Sequence, residues 1–105
     1  MVSVLESLFS SAARVEILSL FFRHPESQFY QREIERETGQ AIRAVQREVK
    51  RLQEIDLLLR SEEGNRVFYG LNPDFGLLDE LTALFRKAAG AAEGVDQTAR
   101  RVSPE

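Results

Sequence analysis

The chain has 105 residues, of which 43% are hydrophobic and 30% charged, and it carries a formal net charge of −3 with no cysteine. This composition is typical of one soluble globular domain with a single core. It excludes a disulfide framework and any zinc or iron–sulfur site built on thiolates. No apolar run approaches the roughly 20 residues of a membrane span. The N-terminus lacks the early basic residues of a secretory signal, so we expect a cytoplasmic protein.

The first part of the chain predicts two helices. The opening residues indicate a short amphipathic helix, whose apolar positions are Val2, Leu5, Leu8 and Phe9. Ser10-Ser11 offers an N-cap for a second helix over residues 12–23. That helix is so apolar that it belongs either in the centre of the core or against a partner chain as well. His24-Pro25 ends it, because the residue before a proline is biased away from the helical conformation.

The next segment predicts two helices joined by a short turn. Residues 28–30 are aromatic and indicate a brief strand, and residues 31–38 favour a helix with Glu33 near its positive N-terminal end. Gly39 follows, which is the residue best able to adopt the left-handed conformation of a helix C-cap. Another helix over residues 41–52 begins about two residues later. Two helices joined in this way, the second with a basic face, form a helix-turn-helix.

The helix over residues 41–52 has two chemically different faces. Its apolar stripe has helical spacing and consists of Ile42, Val45, Val49 and Leu52. The opposite arc is basic and consists of Arg43, Gln46, Arg47 and Lys50, with Arg51 at its margin. Glu48 is the only acid here and falls beside the apolar arc, so the segment has a local charge of +3 in an acidic chain. A DNA-binding protein needs such a basic face and does not need global basicity.

The second half of the chain predicts a β-hairpin and a last helix. Residues 57–61 and 66–69 are rich in strand-forming residues, and Glu62-Glu63-Gly64-Asn65 supplies a turn between them. Asn72-Pro73 is predicted as the N-cap and first residue of the last helix. The apolar face of that helix consists of Leu77, Leu78, Leu81, Leu84, Phe85 and Ala88.

The predicted fold class is mainly α with a small β-hairpin wing. It is a winged helix-turn-helix with five helices and a two- or three-stranded sheet. The pattern indicates one domain over residues 1–95, with dimerisation helices at both ends, and a flexible tail over residues 96–105.

Three segments carry a resemblance to a known family. They are Phe29-Tyr30-Gln31-Arg32-Glu33-Ile34 with Thr38-Gly39, Val45-Gln46-Arg47-Glu48-Val49-Lys50-Arg51-Leu52, and Gly64-Asn65-Arg66-Val67-Phe68-Tyr69-Gly70-Leu71-Asn72-Pro73. Together they resemble the ArsR-like winged helix-turn-helix transcriptional regulators over roughly residues 8–90. The resemblance implies a homodimeric DNA-binding regulator, a repressor more often than an activator, with the first and last helices at the dimer interface. Similar domains also occur fused to, or encoded beside, nucleotidyltransferases.

Of the positions that depart from this family pattern, three bear on packing or on backbone conformation. Glu35 stands where helix-turn-helix proteins prefer a small residue, so its carboxylate must escape sideways or meet a partner such as Arg47 or Arg32. Ala41 stands where a capping serine is frequent, which predicts a weakly capped helix start. Asp56 replaces a frequent glycine, and aspartate tolerates the left-handed conformation better than most residues.

The residues expected to contact DNA form three groups. Arg43, Gln46 and Arg47 lie toward the helix N-terminal half that enters the major groove, and they are the candidates for base contacts. Lys50 and Arg51 are the candidates for phosphate contacts. The remaining candidates are Asn65 and Arg66 on the wing and Arg32 near the start of the first helix of the motif. Asn65 could instead serve the turn, and Arg32 could instead pair with Glu35.

Metal binding and catalysis are not expected. Many members of the resembled family bind metals through cysteine, or through histidine and aspartate sets, whereas this chain has no cysteine and only His24. His24 is therefore expected at the surface or at a helix end. The sequence has no Gly-rich phosphate loop and no nucleophile arrangement, so we expect no enzyme activity and no cofactor.

Two other functions remain open. The acidic balance, with Glu62-Glu63 at the wing and Glu35 in the motif, fits a winged-helix module that binds proteins instead of DNA. The other open function is that of a regulator that acts with a separately encoded partner, such as a nucleotidyltransferase. A DNA-binding homodimer would place two recognition helices about 34 Å apart, which matches an inverted repeat. No pocket for an effector can be inferred from the sequence.

Overall fold

The computed structural model describes residues 9–97, with side chains through residue 89. Within that range the elements are α1 (Ala12–Arg23), α2 (Gln31–Thr38), α3 (Ile42–Glu54), β1 (Leu58–Glu63), β2 (Arg66–Leu71) and α4 (Leu78–Gln97). Four helices are therefore described where the sequence predicted five, and the predicted opening helix lies outside the described residues except at Phe9. The predicted tail likewise lies outside them from residue 98 onward. A mainly helical chain with one two-stranded antiparallel hairpin is compatible with a winged helix.

The central element of the core is α1. Half of its twelve residues are buried, namely Val15, Ile17, Leu18, Leu20, Phe21 and Phe22. Because these side chains surround the helix, α1 packs against α2, α3 and α4. Its predicted N-cap is confirmed, since Ser11 Oγ accepts a hydrogen bond from the Arg14 backbone N–H at 3.1 Å. Its predicted end is confirmed too, because the exposed His24 is the C-cap and donates its backbone N–H to the carbonyls of Leu20 and Phe21.

Every other element contributes to the same core. The buried hydrophobic residues outside α1 are Ile34, Val45, Val49, Leu52, Leu57, Leu58, Tyr69 and Phe85. The α4 residue Phe85 stacks on Phe22 with ring centroids 5.1 Å apart, which attaches the last helix to α1. The four described helices and the hairpin therefore share one apolar core.

The predicted short turn joins α2 to α3. Gly39 is the left-handed C-cap of α2, with φ +74°, and its backbone N–H donates to Glu35 O at 2.9 Å. The second helix runs two residues further than predicted, to Glu54. Asp56 then takes the left-handed conformation with φ +66°, as its replacement of a frequent glycine suggested.

The hairpin is longer and its turn tighter than the sequence suggested. Glu63 pairs with Arg66, so the turn consists of Gly64-Asn65 alone, and the two glutamates predicted to belong to the turn lie in β1. Gly64 has φ +63° at the first central position, a conformation that strongly favours glycine in a two-residue hairpin turn. The brief strand predicted over residues 28–30 is a single bridge between Phe29 and Tyr69, with reciprocal backbone hydrogen bonds of 2.9 and 2.8 Å.

The predicted start of the last helix is wrong. The helix begins at Leu78, not at Pro73. Asn72 is engaged elsewhere, because its Nδ2 donates to Asp56 O at 2.9 Å and its Oδ1 accepts from the Asp74 backbone N–H at 3.0 Å. The asparagine therefore caps a turn and joins the end of the hairpin to the end of α3. A sequence signature of a helix start can equally mark such a turn.

Candidate nucleic-acid interface

The basic face of α3 is fully presented to solvent. All five of its predicted members are exposed, namely Arg43, Gln46, Arg47, Lys50 and Arg51. Among residues 9–89, no ion pair or side-chain hydrogen bond involves any of them. Four cations and one amide on one helix therefore have their donors free for an external acceptor. We name these five residues the basic face.

The opposite side of α3 is anchored in the core. Val45, Val49 and Leu52 are buried there, and Ile42 is half-buried. Such a helix cannot roll without exposing the apolar stripe, so the core determines which side chains face outward.

Glu48 is the acidic member of the buried side. Its side chain is only 4% exposed, and its Oε1 accepts a hydrogen bond from Arg14 Nε on α1 at 2.7 Å. The Arg14 side chain retains 24% exposure, so the pair lies at the edge of the core. The sequence placed Glu48 beside the apolar arc but did not identify its partner, because Arg14 is 34 residues away.

The start of α3 is weakly capped, as predicted. Ala41 is the N-cap and provides no side-chain hydrogen bond. Thr38 supports the turn instead, because its Oγ1 accepts from the Gln40 backbone N–H at 3.2 Å while donating to Ile34 O at 2.6 Å. The helix start is therefore held by the end of the preceding helix.

Glu35 finds one of its two predicted partners. Arg32 Nη1 lies 2.9 Å from Glu35 Oε1, whereas Arg47 stays unpaired within the described side chains. The Arg32 side chain is 68% exposed, so an i,i+3 pair of this kind contributes little to stability. Arg32 therefore forms an ion pair and still remains exposed to solvent.

The two wing candidates lie in different environments. Asn65 is the exposed second central residue of the turn. Arg66 begins β2 and places its guanidinium carbon 4.5 Å from the centroid of the Tyr30 ring. The Tyr30 ring in turn meets Phe68 edge to face at a centroid distance of 5.8 Å. The wing is thus held against the start of α2 through an aromatic contact.

The structure brings Arg32 and Arg66 together at a second location, a cavity of about 310 Å³ between the start of α2 and the hairpin. Arg60 and Tyr69, which were not among the predicted site residues, also line this cavity. Both could have been found from the hairpin alone, because a two-residue turn at Gly64-Asn65 places Arg60 directly opposite Tyr69.

Other kinds of site receive no support in the part of the chain that the structure describes. No three histidine, cysteine, aspartate or glutamate side chains within it cluster as metal ligands would. None of the helices described is both long and apolar enough to cross a membrane.

Comparison with known proteins shows a fold shared with two regulators. The first is a possible transcriptional regulator from Methanosarcina mazei Go1, with a TM-score of 0.62 and 15% identity over 94% of this chain and 87% of that one. The second is Bordetella bronchiseptica BpsR, whose DNA binding is regulated by 6-hydroxynicotinic acid, with a TM-score of 0.62 and 18% identity over 87% of this chain and 69% of that one. No protein-family model matches the sequence, and no curated protein matches it either. At these identities the similarity establishes the fold.

Proposed function

We propose that this chain is a DNA-binding transcriptional regulator of the winged helix-turn-helix class that reads the major groove with α3. The observation that carries the proposal is the basic face, because its five side chains are exposed and unpaired among residues 9–89 on a helix whose other side is buried. Forked guanidinium and amide donors suit the acceptor-rich base edges of that groove. The fold shared with two regulators supports the same function.

The candidate residues divide by position along the helix. Arg43, Gln46 and Arg47 reach base edges, because the N-terminal half of a recognition helix enters the groove. Lys50 and Arg51 hold phosphates farther along. Arg66 and Asn65 contact the DNA beside the groove from the wing, and Arg32 contacts a phosphate.

We further propose that the regulator is an ArsR-like cytoplasmic homodimer and a repressor. Support for the dimer comes from two exposed leucines, because Leu77, directly before α4, is 58% exposed and Leu84, within α4, is 38% exposed. Leu77 stands at the start of the helix, because its carbonyl oxygen accepts from the Leu81 backbone N–H at 3.0 Å, and a second copy would cover both leucines. The repressor role rests on the family resemblance alone.

The test begins with selection of bound sequences from a random duplex pool, followed by fluorescence anisotropy on the selected site. Arg47→Ala and Arg43→Ala should each weaken specific binding by about 1–3 kcal/mol if they make bidentate guanine contacts. Arg23→Ala, at the exposed end of α1, is the matched control and should bind as the wild type does. The assignment of α3 is wrong if both variants keep wild-type affinity and wild-type circular dichroism.

The alternative function is a protein-binding winged helix. The observation that favours it is the acidic side of the wing, where Glu62 and Glu63 are exposed in a chain of net charge −3. Retention on heparin or duplex DNA that falls steeply with salt supports the regulator. Indifference to DNA at low salt supports the protein-binding module, including one that serves a separately encoded nucleotidyltransferase.

A further inference from the structure

Six of the seven residues that line the solvent-open cavity between α2 and the wing carry side-chain hydrogen-bond donors. Its volume is about 310 Å³, and its polar lining consists of Arg32, Arg60, Arg66, Gln31, Tyr30 and Tyr69. Three arginines around one cavity are unusual in a chain with more acidic than basic residues. The composition of this lining suits a ligand rich in acceptors.

The guanidinium groups are only partly engaged within the protein. Arg32 Nη1 donates to Glu35 Oε1, and Arg60 forms an ion pair with Glu62, with Nη2 2.8 Å from Oε2. Each guanidinium carries five N–H donors, so most of them stay available. Arg66 lies over the Tyr30 ring, a contact with the π face that leaves its N–H groups unused.

Uncharged donors also belong to residues that line the cavity. The Gln31 and Arg32 backbone N–H groups open α2, and within residues 9–97 neither has a hydrogen-bond acceptor. Tyr69 is 7% exposed, and its hydroxyl oxygen accepts a long hydrogen bond of 3.5 Å from Gln31 Nε2. Among the described side chains no acceptor receives the proton of that hydroxyl. The hydroxyl lines a cavity that is open to solvent, so its O–H is available to donate to an acceptor that enters there.

We propose that this cavity binds a phosphoryl group. Its oxygens accept from Arg60 and Arg32, from the free amides at the start of α2, and from the Tyr69 hydroxyl. A phosphoryl group offers more than two acceptor oxygens, which suits donors that converge from a helix end and from both strands. The group comes either from the DNA backbone, an assignment that rests on the proposed function, or from a free phosphorylated compound.

The direct test is a titration of the ¹⁵N-labelled chain with inorganic phosphate, followed by NMR against sodium chloride at matched ionic strength. We expect saturable shifts of the Gln31 and Arg32 amides that chloride does not reproduce. Shifts that are linear in phosphate concentration, or equal in the two salts, overturn the proposal.

Two matched variants distinguish specific phosphate binding in the cavity from attraction by surface charge in general. Arg60→Gln should weaken phosphate binding about tenfold or more, because it removes a charge-assisted hydrogen bond. Glu62→Gln should leave the affinity unchanged or increase it, since it breaks the same ion pair and keeps the cation. The side chains of this pair are 42% and 61% exposed, so neither change should unfold the chain. Equal phosphate affinity in Arg60→Gln and the wild type overturns the proposal.

The source of the phosphoryl group follows from DNA binding by the same Arg60→Gln variant. A DNA phosphate in the cavity predicts about fivefold weaker binding to all sequences near 0.15 M salt and a salt slope smaller by about 1. A free phosphorylated ligand predicts wild-type DNA affinity in a variant that has lost phosphate binding. Either result supports the site. Saturable phosphate binding by a wild-type chain that binds no DNA refutes the proposed function and leaves the phosphoryl site standing.

Discussion

The ion pair between Arg14 and Glu48 offers the most quantitative test of how α3 is held. Arg14→Leu would leave a carboxylate that is 96% buried without its cation, since the Glu48 side chain is only 4% exposed. Breaking a fully buried pair typically costs about 3–5 kcal/mol. Because the Arg14 side chain is 24% exposed and water can reach the edge of this pair, we expect about 2–3 kcal/mol.

A loss of this size is a large share of the roughly 5–15 kcal/mol by which such a domain is stable. It should lower the melting temperature by about 10–20 °C. Urea denaturation monitored by circular dichroism gives the free energy directly, and the m-value should not change. Arg14→Leu combined with Glu48→Leu should recover most of the loss, because the buried charge is then gone. A cost below about 0.5 kcal/mol for Arg14→Leu, or a double variant no more stable than the single one, would refute this account.

Three other substitutions test separate features. Gly39→Ala should cost about 1 kcal/mol by urea denaturation because Gly39 has φ +74°, and an unchanged midpoint would contradict the strain argument. Asn72→Ala should cost about 1–2 kcal/mol by the same assay because it loses both side-chain hydrogen bonds; wild-type stability would show that they contribute nothing. Leu84→Glu should convert the proposed dimer to a monomer by light scattering at micromolar concentration, whereas Leu59→Glu, a matched exposed leucine in β1, should not. A monomeric wild type would remove that interface.

Local signals accounted for the helix-turn-helix. The bounds of α1 and α2 follow from Ser11, from His24-Pro25 and from Gly39, because each of these residues acts on backbone groups within one helical turn of itself. The sidedness of α3 follows from helical spacing alone. These features depend on neighbours in sequence, which is why they could be predicted.

The features that the sequence did not reveal depend on distant partners. Asn72-Pro73 has the local signature of a helix start, but Asp56 O, 16 residues away, takes the amide of Asn72. The partner of Glu48 lies on α1, and the phosphoryl site combines α2 with both strands. Predicting such contacts requires knowledge of how the elements pack as well as of their order.

Backbone hydrogen bonds join the wing to the helix-turn-helix at two points, one within β2 and one at the residue that follows it. Reciprocal backbone hydrogen bonds join Tyr69 to Phe29 just before α2, and the Asn72 backbone N–H donates to Leu57 O just after α3. The wing therefore separates from the helices only when both sets of hydrogen bonds break. Hydrogen exchange of the Phe29 and Tyr69 amides should therefore report one shared opening event, and the hairpin and the motif should unfold as one cooperative unit. Movement of the hairpin relative to the helices is then confined to the turn at its tip.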